Sequence, residues 1–157
     1  THCAQFIMTA EKSSDLLLLD NQLCFALYSA SNAIVRAYRP LLEQLDLTYP
    51  QYLVMLVLWQ QDGISVKQLG EQLFLDSGTL TPLLKRLEAK GLVRREHSEQ
   101  DERVRILTLT EQGKALKKQA ADIPLRMRDQ LHISDSQLQV LKSHCEQVQQ
   151  QLHEQND

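Results

Sequence analysis

Leu75-Asp76-Ser77-Gly78-Thr79-Leu80-Thr81-Pro82-Leu83-Leu84-Lys85-Arg86-Leu87-Glu88 is the stretch whose reading decides the fold. Asp76-Ser77-Gly78 reads as a turn that doubles as a helix N-terminus. Over residues 79–90, Leu80, Leu83, Leu84 and Leu87 recur on one helical face, and Thr79, Thr81, Lys85 and Arg86 occupy the other. Short hydroxyls and long cations opposite a leucine face suit contact with phosphates and base edges. Gly91 stands where a helix C-terminus favours positive φ. Pro82 is awkward inside such a helix: either the helix starts late, near Thr81, or it bends there.

The flanking segments are equally well punctuated. Ser65-Val66-Lys67-Gln68 fits a capping box and opens a short helix with Val66, Leu69 and Leu73 inward. After Gly91, residues 92–97 and 104–109 read as two short strands around the polar turn Ser98-Glu99-Gln100-Asp101-Glu102-Arg103. Two helices joined by a tight turn and followed by a hairpin is the order of a winged helix-turn-helix. Its second helix enters a major groove, and its hairpin reaches the adjacent minor groove. The plain alternative is an amphipathic surface helix beside a charged, solvated turn.

Outside this unit the chain reads as helix. From Leu16 to Leu45, Leu19, Leu23, Leu27, Ile34, Tyr38, Leu41 and Leu45 recur at helical spacing, with a kink or break expected near Pro40. Residues 52–59 are apolar on nearly every side and read as a buried helix ending at Asp62-Gly63. A further helix runs from Thr110, as N-cap, to Leu131, interrupted at Pro124. The last begins at Ser134 or Asp135, and Leu138, Leu141, Cys145, Val148 and Leu152 form a coiled-coil-like seam along it. The expected fold class is mainly α with a small two- or three-stranded β-wing.

Composition narrows the function classes. A chain of 157 residues, 43% hydrophobic and 24% charged, fits one globular domain and excludes disorder. Its longest apolar run falls far short of the ~20 residues a bilayer requires, so no membrane partner is expected. The net charge of −3 argues mildly against nucleic acid, but residues 77–105 hold seven basic and five acidic side chains. That local excess of +2 leaves −5 on the rest of the chain. Cys3, Cys24 and Cys145 form neither a CxxC pair nor a disulfide framework, and residues 1–14 lack a signal peptide's features. A cytoplasmic protein with free thiols is expected. Met8 would be a sensible start, making Thr1–Ile7 an added leader or an upstream extension. His132, His144 and His153 lack ligand pairing at helical spacing, so neither a metal nor a cofactor is expected.

The run from Leu75 to Glu88, with Gly91-Leu92-Val93 and Asp101-Glu102-Arg103-Val104-Arg105, resembles the MarR family of winged-helix repressors. A cysteine in the first helix makes it similar to the organic-hydroperoxide-sensing (OhrR-type) branch, from about Asp15 through the C-terminal helices. The resemblance implies an interlocked homodimer on double-stranded operator DNA. Residues 1–157 would then be one domain, with DNA binding in about 50–109 and dimerisation helices in about 15–48 and 110–157. It places Ser77, Thr79, Thr81, Lys85 and Arg86 on the recognition helix and Arg103 at the wing tip, oriented by a charge-assisted bond from Asp101. Arg105 would support the wing base or contact phosphate.

It also implies that Cys24 is the redox-active thiol and that Tyr38 and Tyr49 hydrogen-bond its thiolate. Read alone, a cysteine on a leucine-rich helix is more often a small buried hydrophobe. Cys24 is expected well inside its helix, away from the N-terminal dipole. Fourteen residues turn Tyr38 to within ~40° of the face of Cys24 but carry it ~21 Å along the axis. An antiparallel partner helix would therefore have to bring them together. Tyr28 would contact the thiol locally, and Leu23, Phe25 and Leu27 would wall the pocket, suiting an alkyl hydroperoxide as inducer.

Oxidation to a sulfenic acid and condensation with a thiol would pull Tyr38 and Tyr49 away and rotate the reading heads. The resolving cysteine of two-cysteine relatives would fall near Asp129, where this chain has no thiol. Cys145 or a low-molecular-weight thiol remains for that step. The rival readings are a MarR-type repressor of a non-reactive effector and a thiol peroxidase. The second needs a turnover partner and usually an α/β scaffold.

Overall fold

The computed structural model describes residues 15–154. The expectations about residues 1–14, including Cys3 and the leader, lie outside the described range. Two 3-10 turns at Asp15–Leu17 and Leu19–Asn21 precede α1 (Leu23–Glu43), and α2 is Tyr49–Gln60. The centre consists of β1 (Ile64–Ser65), α3 (Val66–Leu73), α4 (Ser77–Ala89), β2 (Val93–His97) and β3 (Arg105–Leu109). The chain then forms α5 (Glu111–Ala120), α6 (Ile123–Asp129) and α7 (Asp135–Glu154). The sheet is antiparallel in the order β1-β3-β2, with Ile64 opposite Leu107 and Val93 opposite Leu109. This is a winged helix carried between long helices.

Local chemistry sets the boundaries. At α3, Ser65 accepts the Gln68 N–H at 3.1 Å while the Gln68 side chain accepts the Ser65 N–H at 2.9 Å, the expected capping box. Thr48 and Gln51 build a second one at α2. Thr110 caps α5 by accepting from the Gly113 N–H. Pro124 falls in the first turn of α6, so the interruption divides the predicted helix in two. Between α3 and α4, Phe74 takes a left-handed conformation at φ +53°. Gly70 is required here, because a Cβ would lie 2.7 Å from the Leu75 carbonyl oxygen.

Three expectations are corrected. The first helix begins at Leu23, not Leu16, because nearby side-chain amides take the preceding carbonyls: Asn21 donates to Asp15 O and Gln22 to Leu18 O. Cys24 is consequently the second residue of α1 rather than deep within it. Pro40 does not break α1, since Leu41 and Leu42 just beyond it are buried and hold the last turn in place. Of the two alternatives left open at Pro82, the late start near Thr81 is not the one found, since α4 begins at Ser77. Asp76 caps it by accepting the Thr79 N–H at 2.8 Å, and buried Leu80, Leu83, Leu84 and Leu87 carry the helix through the proline.

One core joins α1, α2, α3, α4, the sheet and α6, with Leu42, Met55, Leu58, Leu69, Leu84, Leu107 and Ile123 fully enclosed. α7 buries no residue, and Val140, Leu141, Val148 and Leu152 are exposed along it. Leu16 to Leu19 and Leu23 are also exposed, Leu17 by 87%. Both outer segments thus present apolar side chains that this single chain does not cover.

Candidate functional site

The residues expected to contact DNA lie on α4 and the wing. Ser77, Thr79, Lys85 and Arg86 are exposed on α4. Thr81 is half-buried, and its hydroxyl donates to the Ser77 carbonyl at 2.7 Å, leaving the oxygen only as an acceptor. Asp76 sits at the helix entrance, and its bonds from Thr79 hold its carboxyl below the usual carboxylate range.

The wing turn is held by its own polar groups. The Ser98 N–H donates to Val104 O at 2.8 Å and the Val104 N–H to Asp101 O at 2.9 Å. Asp101 was expected to orient the Arg103 guanidinium. One oxygen of its carboxylate accepts the Arg103 backbone N–H at 3.0 Å, and among the described residues it forms no ion pair with that guanidinium. Arg103 and Arg105 are exposed.

Ion pairing sorts the local cations. Arg95 pairs with Glu88 at 3.2 Å, fastening β2 to α4, and Lys90 pairs with Asp46 at 3.3 Å. Among the described residues, Lys85, Arg86, Arg94, Arg103 and Arg105 enter no ion pair, so their charge faces solvent. Arg95 and Glu88 cancel within residues 77–105 and Lys90 is neutralised by Asp46 from outside, so five unpaired cations face four unpaired carboxylates and the local excess falls to +1.

A second constellation lies at the opposite ends of α1. Cys24 is exposed in its first turn, beside exposed Leu23, Phe25 and Tyr28 and half-buried Leu27. Near the other end, the Tyr38 ring lies 4.8 Å from Tyr49 and 5.8 Å from Tyr52. Burial, reinforced by Tyr49 and Tyr52, pushes the Tyr38 hydroxyl up to about 12. Burial also raises Tyr49 and Tyr52. All three hydroxyls therefore keep their protons at neutral pH. Among the described residues, none of them donates to a group of this chain.

The structure brings Tyr38 and Tyr49 together but leaves Cys24 at the far end of the same helix. Tyr52, absent from the expected site residues, packs against both rings. Its signal was the three-residue spacing from Tyr49, which places both rings on one face of α2. Cys145 is exposed on α7, and Asp129 is exposed at the end of α6. Among the described residues, no group of three His, Cys, Asp or Glu side chains is arranged to hold a metal ion. A cavity of about 1000 Å³ opens between α3, the wing and the end of α7, lined by Val66, Lys67, Phe74, Arg103, Arg105 and Leu152 among others.

Comparisons with known proteins agree with this geometry. Residues 36–120 match the family model described as transcriptional regulator SarA/Rot. The chain is 47% identical over 146 residues to the organic hydroperoxide resistance transcriptional regulator of Bacillus subtilis, covering 93% of this chain and 99% of that protein. Among solved structures, reduced AbfR bound to DNA aligns with a TM-score of 0.72 at 36% identity, covering 87% of this chain and 96% of that one. The disulfide form of AbfR, a Staphylococcus epidermidis protein, aligns at 0.62 and 33% identity over 86% and 95%. An exposed cationic helix and wing on a helical frame, with these relatives, place the chain among regulators rather than enzymes. It belongs to the SarA/Rot and MarR-type winged-helix transcriptional regulators, on the branch of the organic-hydroperoxide regulators.

Proposed function

We propose that this protein is a redox-sensing repressor that binds operator DNA as a reduced cytoplasmic homodimer and lets go when an organic hydroperoxide oxidises Cys24. The observation that carries the reading is the split constellation on α1. An exposed cysteine opens the helix, and at its other end lie proton-holding tyrosines whose hydroxyls donate to no group among the described residues. Antiparallel pairing of two α1 helices closes that gap. Cys24 of one subunit then meets Tyr38 and Tyr49 of the partner subunit, whose hydroxyls donate to the thiolate. The uncovered leucines of residues 16–23 and the α7 seam supply the apolar surface for the pairing.

The chemistry balances without a cofactor. The Cys24 thiolate attacks the terminal oxygen of ROOH, the O–O bond breaks, and two electrons pass from sulfur to the peroxide. The alkoxide leaves and takes up a proton to become ROH, while sulfur becomes the sulfenic acid. A second thiol, either Cys145 or a low-molecular-weight thiol, attacks that sulfur, expels water and leaves a disulfide. Leu23, Phe25, Leu27 and Tyr28 form an apolar wall that suits an alkyl substituent. On the DNA side, Thr79, Lys85 and Arg86 enter the major groove, Arg103 the minor groove, and Ser77 and Arg105 the backbone.

The test uses duplex DNA selected from a random library by the reduced wild-type protein. Cumene hydroperoxide plus glutathione should release wild type and leave the Cys24→Ser variant bound. Peroxide-driven release of that variant would show the sensor assignment to be wrong. Mass spectrometry of the oxidised protein then shows whether Cys145 or glutathione is attached to Cys24.

The cavity beside Arg103 and Arg105 favours a second reading, in which a non-reactive effector with an apolar body and an anionic group displaces DNA. Release by such a compound without any change in thiol count would favour it.

A further inference from the structure

α2 is fastened at both ends to parts of the molecule with different roles. Its first turn carries Tyr49 and Tyr52 against Tyr38. Its other end carries Trp59, with Asp62 just beyond. The Trp59 indole N–H donates to the Gly113 carbonyl at 2.9 Å. The Asp62 carboxylate accepts the Leu109 N–H at 2.8 Å, taking the position on β3 that a longer β1 would occupy. Leu109 ends β3 and Gly113 lies in the first turn of α5, so both bonds grip the chain where it leaves the wing.

That exit is tied in turn to the wing's entrance. The Thr110 hydroxyl donates to Gly91 O at 2.6 Å, and the Thr110 N–H donates to Leu92 O at 3.1 Å. Gly113 packs so closely on the Leu92 carbonyl that a Cβ would collide with it. The two roots of the wing therefore form one body, which α2 holds at two points. Lys117 adds a third tie, donating to Trp59 O at 3.1 Å. Along α2, the Tyr52 and Trp59 rings meet edge to face at 6.5 Å, and Val54, Met55 and Leu58 are fully buried. A helix of twelve residues is ~18 Å long and does not shorten under load, so a push on Tyr49 reaches Asp62 as a tilt.

We infer that Tyr52, Trp59 and Asp62 are positioning residues that couple the Tyr38–Tyr49 pair to the wing. Displacement of the tyrosines by chemistry at Cys24 thereby re-aims Arg103 and Arg105. The inference rests on the functional reading above and adds the route by which it acts. A purely structural role for the same bonds would change stability and DNA affinity alike in both redox states. A coupling role changes the ratio between those states.

The experiment measures three quantities on the full-length dimer: the rate of Cys24 sulfenic acid formation with cumene hydroperoxide, and the Kd for the selected duplex before and after oxidation with glutathione. The variants are Asp62→Ala, Trp59→Phe, which keeps a ring but loses the N–H, and Asp62→Asn, which keeps an acceptor oxygen for Leu109. Asp62→Ala and Trp59→Phe are expected to oxidise at the wild-type rate and to bind within about threefold of wild type when reduced. Their oxidised-to-reduced Kd ratio should fall at least tenfold below the wild-type ratio, and Asp62→Asn should restore it. An unchanged ratio in both loss variants, whatever happens to the reduced affinity, would overturn the coupling.

Wild-type protein that oxidises at Cys24 yet keeps its duplex would sink the functional reading by itself. The coupling is then read from Trp59, the chain's one tryptophan. Its emission should shift when wild type binds the duplex, and less so in Asp62→Ala. Equal emission changes in the two proteins, or none in either, would again overturn it.

Discussion

The rings of Tyr38 and Tyr49 lie 4.8 Å apart across the corner between α1 and α2, with Tyr52 packed against both. The corner depends on Asp46 in a left-handed conformation and on the buried side chains of Leu45 and Leu47. Two hydroxyls on separate helices are thereby presented together, as donors rather than as bases.

Removing either hydroxyl should slow sensing without unfolding the protein. Tyr38→Phe and Tyr49→Phe keep the ring packing and lose one hydroxyl that the proposed function assigns as a donor to the thiolate. A hydrogen bond to a charged group is worth about 1.5–3 kcal/mol, so oxidation by cumene hydroperoxide should slow roughly tenfold to a hundredfold. Competition kinetics against a peroxidase of known rate would measure it, and wild-type rates in both variants would count against the site.

The elevated tyrosine values set the alkaline limit. Tyr38 rises from an ordinary 10 to about 12 on folding. Between those values the folded chain binds more protons than the unfolded chain, so stability falls as pH rises through that window. Below pH 10 the group is protonated in both states and contributes no slope. Urea denaturation between pH 9 and 12 should show the decline, and Tyr38→Phe should flatten part of it.

The cations of the reading face should divide into two kinds. If Arg103 reads the minor groove, Arg103→Ala should lower affinity for the selected duplex about tenfold to a hundredfold and reduce its preference over random DNA. Replacing a cation that touches only phosphate, as expected of Arg105, should weaken all duplexes alike and lower the salt slope by about one. Fluorescence anisotropy across a salt series separates the two.

Gly70 tests the helix-turn-helix corner. A Cβ there meets the Leu75 carbonyl oxygen at 2.7 Å and a Leu80 methyl at 3.1 Å. Neither the backbone oxygen nor the enclosed leucine yields easily, so Gly70→Ala should destabilise by about 1–3 kcal/mol. Thermal melts in both redox states would show an equal loss.

The uncovered seam of α7 tests assembly. Leu141 and Val148 are exposed on a helix with no buried residue. Leu141→Glu should shift the protein from dimer toward monomer in sedimentation velocity, with DNA affinity falling in step. A variant that stays dimeric would place the interface elsewhere.

Much of the fold was legible because its signals are local. The Ser65–Gln68 capping box, the Asp76 and Thr110 caps, Gly91 and the leucine face of α4 each act within about one turn of helix, and the structure contains each of them. Errors arose where neighbours compete. The start of α1 depends on amides from Asn21 and Gln22 that take carbonyls, and the wing turn adds a bond from the Arg103 backbone N–H to the Asp101 carboxylate that no spacing announced. β1 was invisible because two residues carry no periodicity and exist as a strand only through β3.

By itself, the sequence determined the order of the helices and of the two wing strands and the leucine face of α4, since these follow from spacing, capping and side-chain chemistry along short stretches. Only the tertiary structure decided that Tyr52 joins Tyr38 and Tyr49, that Cys24 opens its helix, and that Trp59 and Asp62 fasten α2 to the root of the wing. Those relationships link positions up to 54 residues apart. Such contacts arise from how the core packs, and no local period encodes them.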